Sequence, residues 1–183
     1  MPGEPDLTDA DVVHAVLDGR KELYGVLVRR YQDEMYRHAE RMVGTPDEAA
    51  DIVQAAFLKG FESLSTCRNP ERVGGWLFRI TANQCKDYLK NRRRSNLRLD
   101  DVQALESESG DPEDAAEQVQ LGDRIRRALD GLAAEQREAF VLKHLEGLSY
   151  EEMSERLDAS VSALKMRVHR AREELQALLE EYR

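Results

Sequence analysis

The sequence predicts an all-α chain: two helical domains joined by a flexible acidic linker, the C-terminal one carrying a helix-turn-helix. Three observations predict this. Apolar residues recur at steps of three and four, while no segment alternates apolar and polar for long and β-branched runs are absent. Gly and Pro fall between the periodic segments, where they stop helices. A polar, acidic stretch at 100–118 interrupts the pattern and offers only Val102 and Leu105 for a core, so it reads as linker.

The elements follow in order. Residues 9–18 form a short helix ended by Gly19. Leu23, Val26, Leu27, Tyr31, Met35, His38 and Met42 define a longer second helix, stopped by Gly44-Thr45-Pro46. A third begins near Pro46-Asp47 and buries Ile52, Val53, Phe57, Phe61 and Leu64. "STCRNPERVGG" (65–75) is a loop by composition. "WLFRITANQCKDYLKNRRR" (76–94) is a fourth helix, apolar at first and basic at its end; Trp76, Phe78, Ile80 and Leu89 form its core face. A second helical unit begins around Asp111-Pro112, with Leu121, Ile125, Leu129 and Leu132, then Phe140, Val141, Leu142 and Leu145 up to Gly147.

Composition bounds the function. The chain has 183 residues, 34% of them charged, and a net charge of −9. No apolar run approaches the roughly 18 residues of a membrane span, and the acidic N-terminus lacks signal-peptide character, so a cytoplasmic protein without membrane insertion is expected. Cys67 and Cys85 are not a CxxC pair and read as free thiols. The negative total hides local basicity. Arg79 to Arg98 holds seven bases and one acid, and Ser160 to Arg172 holds four bases and no acid. Between them, Leu99 to Leu121 holds eight acids and no base. Basic patches of this kind suit nucleic acid despite the acidic whole. No P-loop, HExxH or nucleophile elbow is present. His14, His38, His144 and His169 lack metal-ligand partners at short spacing and read as surface or packing residues, so no enzyme, metal or cofactor is expected.

The C-terminal stretch "SYEEMSERLDASVSALKMRVHRAREEL" is the most informative. Ser149 and Glu152 make a capping box. "YEEMSERL" is a short helix and "DAS" a turn, in which Asp158 takes a left-handed conformation and Ser160 caps the next helix. That helix is apolar at Val161, Leu164, Val168, Ala171, Leu175 and Leu178, and basic on its other face. Two helices with a tight turn make a helix-turn-helix whose second member enters the major groove. Ser162 and Ala163 are small enough to let bases approach, and Lys165 and Arg170 can donate to guanine or phosphate.

"EGLSYEEMSERLDASVSALKMRVHRAREEL" resembles the C-terminal domain of the extracytoplasmic-function (ECF) sigma factors, whose pattern runs E-G-L-S-Y-E-E-I-A, a turn, then V-K-S-R-x-x-R-A-R. "LVRRYQDEMYRHAERMVGTPDEAADIVQAAFLKGF", followed by "GWLFRITANQCKDYLKNRRR", resembles their N-terminal domain. The resemblance covers roughly residues 10–96 and 112–180. It implies a region 2-like domain at 9–96 that binds core RNA polymerase and reads and melts the −10 element. It further implies an acidic linker at 97–120 and a region 4-like domain at 121–183 that reads the −35 element.

By resemblance, Asp51, Gln54, Ala55, Leu58 and Glu62 meet the polymerase clamp. Asn83 and Asp87, four apart on one helix face, sit where the non-template strand is read, and Lys90, Arg92, Arg93 and Arg94 follow phosphate. Ser160, Ser162, Ala163, Lys165, Met166, Arg167 and Arg170 face the −35 element. The implied partners are core RNA polymerase, promoter DNA and an anti-sigma factor. The sequence departs from the family's pattern in places. Ala50 and Ala55 replace common acids on the clamp-binding helix, Ala163 and Met166 replace Thr and Ser, and Asp158 replaces the turn glycine. The alternative reading is a helix-turn-helix regulator that does not act as a polymerase subunit.

Overall fold

The computed structural model describes residues 7–100 and 128–181. Among them, every regular element is helical. Packing divides the chain into two units, 1–85 with 155–158, and 86–154 with 159–183.

The first unit holds α1 (Asp9–Leu17), α2 (Tyr24–Val43), α3 (Pro46–Glu62) and the start of α4 (Val73–Asp100). Thr8 caps α1 through a reciprocal box with Asp11, whose backbone N–H donates to the threonine hydroxyl at 3.2 Å. Gly19 and Gly44 end their helices at φ of 104° and 86°, conformations that a Cβ resists. Pro46 opens α3, where its missing N–H costs nothing. The predicted apolar stripes face inward: Val12, Leu27, Met35, Met42, Leu64, Leu77 and Phe78 are all at most 2% exposed. Burial of each such large side chain contributes roughly 1.5–3 kcal/mol. His38 is buried among them and packs on Phe78, ring centroids 4.6 Å apart, as a packing histidine should. Trp76 is half-buried and Phe78 fully buried, in keeping with the core face read for α4.

The 65–75 segment is more ordered than its composition predicts. Two short 3₁₀ turns, Leu64–Thr66 and Pro70–Arg72, carry the chain to Val73, where α4 starts. Gly74 and Gly75 therefore lie inside a helix. At Gly74 the reason is close approach, since a Cβ there would stand 2.5 Å from the Tyr31 ring. The far end of α4 runs to Asp100, past the expected stop at 94, so residues 97–100 of the expected linker have helical backbone. The rest of the acidic segment, and Leu121 and Ile125, lie outside the described residues.

The second unit contains the later part of α4, α5 (Ala134–Phe140), a π-type turn at Val141–Leu145, most of α6 (Tyr150–Leu157) and α7 (Val161–Glu181). Its core gathers Ala128, Leu129, Leu132, Ala171 and Leu175, with Phe140 and Leu178 packed against them. Leu145, expected in the apolar stripe, is 47% exposed. The cause is the wider turn: the Glu146 N–H donates to the Val141 carbonyl at 3.0 Å, five residues back, and this rotates Leu145 off the buried face.

Candidate functional site

The turn between α6 and α7 is built as its residues dictate. The Ser149 N–H donates to the Glu152 carboxylate at 2.7 Å, and the Glu152 N–H donates to the Ser149 hydroxyl at 3.1 Å. Asp158 stands at φ 55° in the left-handed region, a strained place for a residue with a Cβ. The Ala163 N–H donates to the Ser160 hydroxyl at 3.3 Å and starts α7. Leu164, Val168, Ala171 and Leu175 are buried. Ser160, Ser162, Lys165, Met166 and Arg170 are exposed, while Ala163 and Arg167 are half-buried. Met166 leaves 49% of its surface in solvent, an apolar side chain standing among cations.

A second surface lies on α3. Asp51, Gln54, Ala55, Leu58 and Glu62 are all exposed, as is Ala50, while Ile52, Val53, Ala56 and Phe57 fill the opposite face. Leu58 is 60% exposed. It borders a shallow groove of about 370 Å³ lined by Tyr24, Val28, Gln32, Val53, Gln54, Phe57 and Phe61. The groove is held rigid from beneath. The Tyr24 hydroxyl donates to the Phe57 carbonyl at 2.8 Å, and the Tyr24 and Phe61 rings meet edge to face at 5.1 Å.

The third surface is α4. Asn83 and Asp87 are exposed at helical spacing, as are Arg93 and Arg94. Lys90 and Arg92 are engaged within the second unit. Lys90 donates to Glu135 at 2.7 Å, and Arg92 to Asp130 at 2.6 Å. One turn back, Lys86 reaches the fully buried Glu138 at 3.0 Å. Asp130 also accepts from the buried Arg137 at 2.6 Å. Sequence reasoning missed this row, because it assigned no role to the charged residues at 130–138. The available signal was the i, i+4 spacing of Lys86 and Lys90 against the i, i+3 spacing of Glu135 and Glu138. Electrostatics agree: the Lys90 ammonium is held above its ordinary range by the hydrogen bond to Glu135 and by that residue's charge. Glu135 is held below its own ordinary range, chiefly by the hydrogen bond from Lys90.

Cys67 and Cys85 are not joined in a disulfide. Among the described residues, no group of His, Cys, Asp and Glu could hold a metal ion. None of the described helices is long and apolar enough to cross a membrane.

Comparison with known proteins covers both units. The family model "Sigma-70 region 2" matches residues 27–95, and "Sigma-70, region 4" matches residues 122–175. The ECF RNA polymerase sigma-E factor of Escherichia coli K12 is 34% identical over 176 residues, 91% of this chain and 92% of that relative. The ECF RNA polymerase sigma factor SigE of Mycolicibacterium smegmatis is 36% identical over 157 residues, 84% of this chain, and the match spans 60% of that relative's length. Among solved structures, CnrH in complex with the cytosolic domain of CnrY superposes with a TM-score of 0.61 at 26% identity, covering 94% of this chain and 97% of that one. The sigma factor RpoE of Bartonella quintana, in complex with the anti-sigma factor NepR, gives a TM-score of 0.57 at 27% identity, covering 87% and 98%.

Proposed function

Because the chain belongs to the ECF RNA polymerase sigma factors, we propose that its three surfaces divide the work of transcription initiation. The chain binds core RNA polymerase and directs promoter-specific initiation; it acts as a non-catalytic factor in the cytoplasm. The functional modules are residues 9–96 for polymerase and −10 contacts, 97–120 as linker, and 121–183 for the −35 element.

The observation that carries this reading is the pairing of regions 2 and 4, in that order, on one chain. Geometry supports the details. The exposed row Asp51, Gln54, Ala55, Leu58 and Glu62 beside an apolar groove suits a helical protein partner. Exposed Asn83 and Asp87 can hydrogen-bond an extruded base edge, and Arg93 and Arg94 can follow phosphates. For Lys90 and Arg92, contact with DNA requires exchange of Glu135 and Asp130 for phosphate. On α7, Ser160, Ser162, Ala163 and Met166 are the candidates for base contact, and Lys165, Arg167 and Arg170 for the backbone or guanine. The two structural relatives are each in complex with a second protein, the cytosolic domain of CnrY in one and the anti-sigma factor NepR in the other. An anti-sigma factor is proposed for this chain too.

The test is binding to purified core RNA polymerase, freed of resident sigma factor, at several salt concentrations, followed by run-off transcription on genomic fragments. Tight binding with new start sites is expected. Failure to bind at any salt would favour the plain helix-turn-helix regulator. The observation that keeps this second reading in view is exposed alanine at positions 50 and 55, where the family commonly carries acid. Ala50→Glu with Ala55→Glu separates the two, since only a sigma factor would gain polymerase affinity from it.

A further inference from the structure

Asp9, in the first turn of α1, collects two donors from α2. The Arg30 guanidinium donates to one carboxylate oxygen at 2.7 Å, and the Tyr31 hydroxyl donates to the other. Arg30 also donates to the Leu7 carbonyl at 2.6 Å, which ties the residue before the α1 cap to the same corner. The Tyr31 phenol is held well above its ordinary value, by burial first and then by the hydrogen bond to Asp9 and that residue's charge, so it stays a neutral donor.

The ring fixed in this way lies against Gly74. A Cβ there would stand 2.5 Å from the ring and 2.9 Å from its hydroxyl. Gly74 is the second residue of α4, directly after the 3₁₀ turn Pro70–Arg72 and Val73. The helix α1 packs on both 3₁₀ turns as well. Turns of this kind hold themselves poorly, because their hydrogen bonds are few and badly aligned, so their angle to a following helix depends on what they rest against. Across that joint the first unit forms a cleft of about 440 Å³. Thr66, Cys67, Asn69 and Arg72 line it from the turns, and Trp76 and Asn83 from α4. A small rotation of the turns against α4 changes the shape of this cleft, and a site that discriminates one base from another needs its walls held within about 0.5 Å.

We propose that Asp9 and Tyr31 are positioning residues for base selection: together they set the angle at which the second 3₁₀ turn enters α4, and hence the shape of the cleft beside Asn83. Neither residue touches DNA. The inference rests on the reading that Asn83 meets an extruded base, and it assigns α1 a share in choosing that base.

The test uses holoenzyme assembled from the full chain and core RNA polymerase. The probe is a promoter fragment recovered by run-off transcription, premelted across the −10 element, with each of the four bases placed in turn at every non-template position. Affinity for each probe gives the base preference position by position. Asn83→Ala identifies the position read in the cleft. Tyr31→Phe, which keeps the ring and loses the hydroxyl, and Asp9→Ala should each lower the preference at that same position by about three- to tenfold. Preferences elsewhere and affinity for core polymerase should hold. The double variant should lose no more than the worse single one, since both cut the same contact. Gly74→Ala, which drives the ring away from the other side, should lose preference at the same position. Gly75→Ala, with nothing within 4 Å of its would-be Cβ, should keep the wild-type pattern.

Wild-type preference in both Tyr31→Phe and Asp9→Ala, with the preference lost in Asn83→Ala, would overturn the positioning role. So would a loss spread evenly over all positions together with weaker polymerase binding, which is the mark of a general structural defect. The Tyr31→Phe arm decides where Gly74→Ala fails to fold. If no start site is recovered, or Asn83→Ala leaves every preference unchanged, the base-reading role of α4 fails, and the positioning role with it.

Discussion

Two glycines in helices separate backbone entropy from packing at the scale of single residues. Gly60 lies in α3, where a Cβ would stand 2.6 Å from the Leu77 side chain and 2.8 Å from the Tyr24 hydroxyl. That hydroxyl is committed to the Phe57 carbonyl, so it cannot move aside without losing a buried hydrogen bond. Gly60→Ala gains about 1 kcal/mol of helix propensity but costs about 1–3 kcal/mol in overpacking. Net destabilisation of about 1 kcal/mol is expected, visible as a fall in melting temperature of several degrees. Gly75, with nothing within 4 Å of its would-be Cβ, should respond oppositely. Gly75→Ala is expected to stabilise by about 0.4–1 kcal/mol in the same thermal scan. If both variants shift in the same direction, packing at Gly60 is not what decides its identity. The sequence alone does not show this difference: composition placed Gly75 in a loop and Gly60 in a helix, and only tertiary packing tells what a Cβ would meet at each.

Between elements, the ion pairs joining α4 to the 130–138 segment grade from buried to exposed. Glu138 is fully buried and Lys86 16% exposed, while Lys90 and Glu135 are 46% and 41% exposed. Breaking a buried pair strands a charge and typically costs 3–5 kcal/mol; an exposed pair is worth at most about 1 kcal/mol. Lys86→Met should therefore destabilise the chain by several kcal/mol in urea unfolding, and Lys90→Met barely at all. Equal effects would show that burial does not set the strength of this row. The exposed pair has a pH signature. Glu135 is depressed below its ordinary 4.5, so its contribution is complete above that value and is lost as pH falls through the lowered one. Lys90 is raised above its ordinary 10.5, so its contribution is complete below that value and is lost as pH rises through the raised one. Glu135→Gln should remove part of the stability difference between neutral and acid pH, the two chains converging once the pH has fallen below the lowered value. A wild-type-like acid transition in that variant would exclude the pair as a source of acid sensitivity.

For the molecule as a whole, the helix α1 and the apolar periods of α2 and α3 were legible in the sequence, as were the capping box at Ser149 and the left-handed turn at Asp158. Each depends on neighbours along the chain. What was not legible depends on neighbours in space. The burial of Arg137 and Glu138, the engagement of Lys90 and Arg92, the outward turn of Leu145 and the fastening of Tyr31 to Asp9 are of this kind. Of the candidate site, the sequence showed which residues share a face, but not which are already occupied.

The division into two units has a consequence that can be measured. The α3 groove belongs wholly to the first unit and Arg170 to the second, so the two sites share no partner residue and their effects should be additive within about 0.5 kcal/mol. Leu58→Asp places a charge where an apolar side chain is 60% exposed and ready for burial. Loss of that burial is worth about 1.5–3 kcal/mol, or roughly ten- to a hundredfold in core polymerase affinity. Binding of the free chain to duplex DNA should be untouched. Arg170→Ala should do the reverse: polymerase affinity holds, while DNA affinity falls and its salt dependence flattens by about 0.9. In holoenzyme-dependent transcription the double variant should lose the product of the two single losses. A loss well short of that product would mean that one surface is reached only after the other is engaged, and initiation would then proceed by ordered capture instead of two independent contacts.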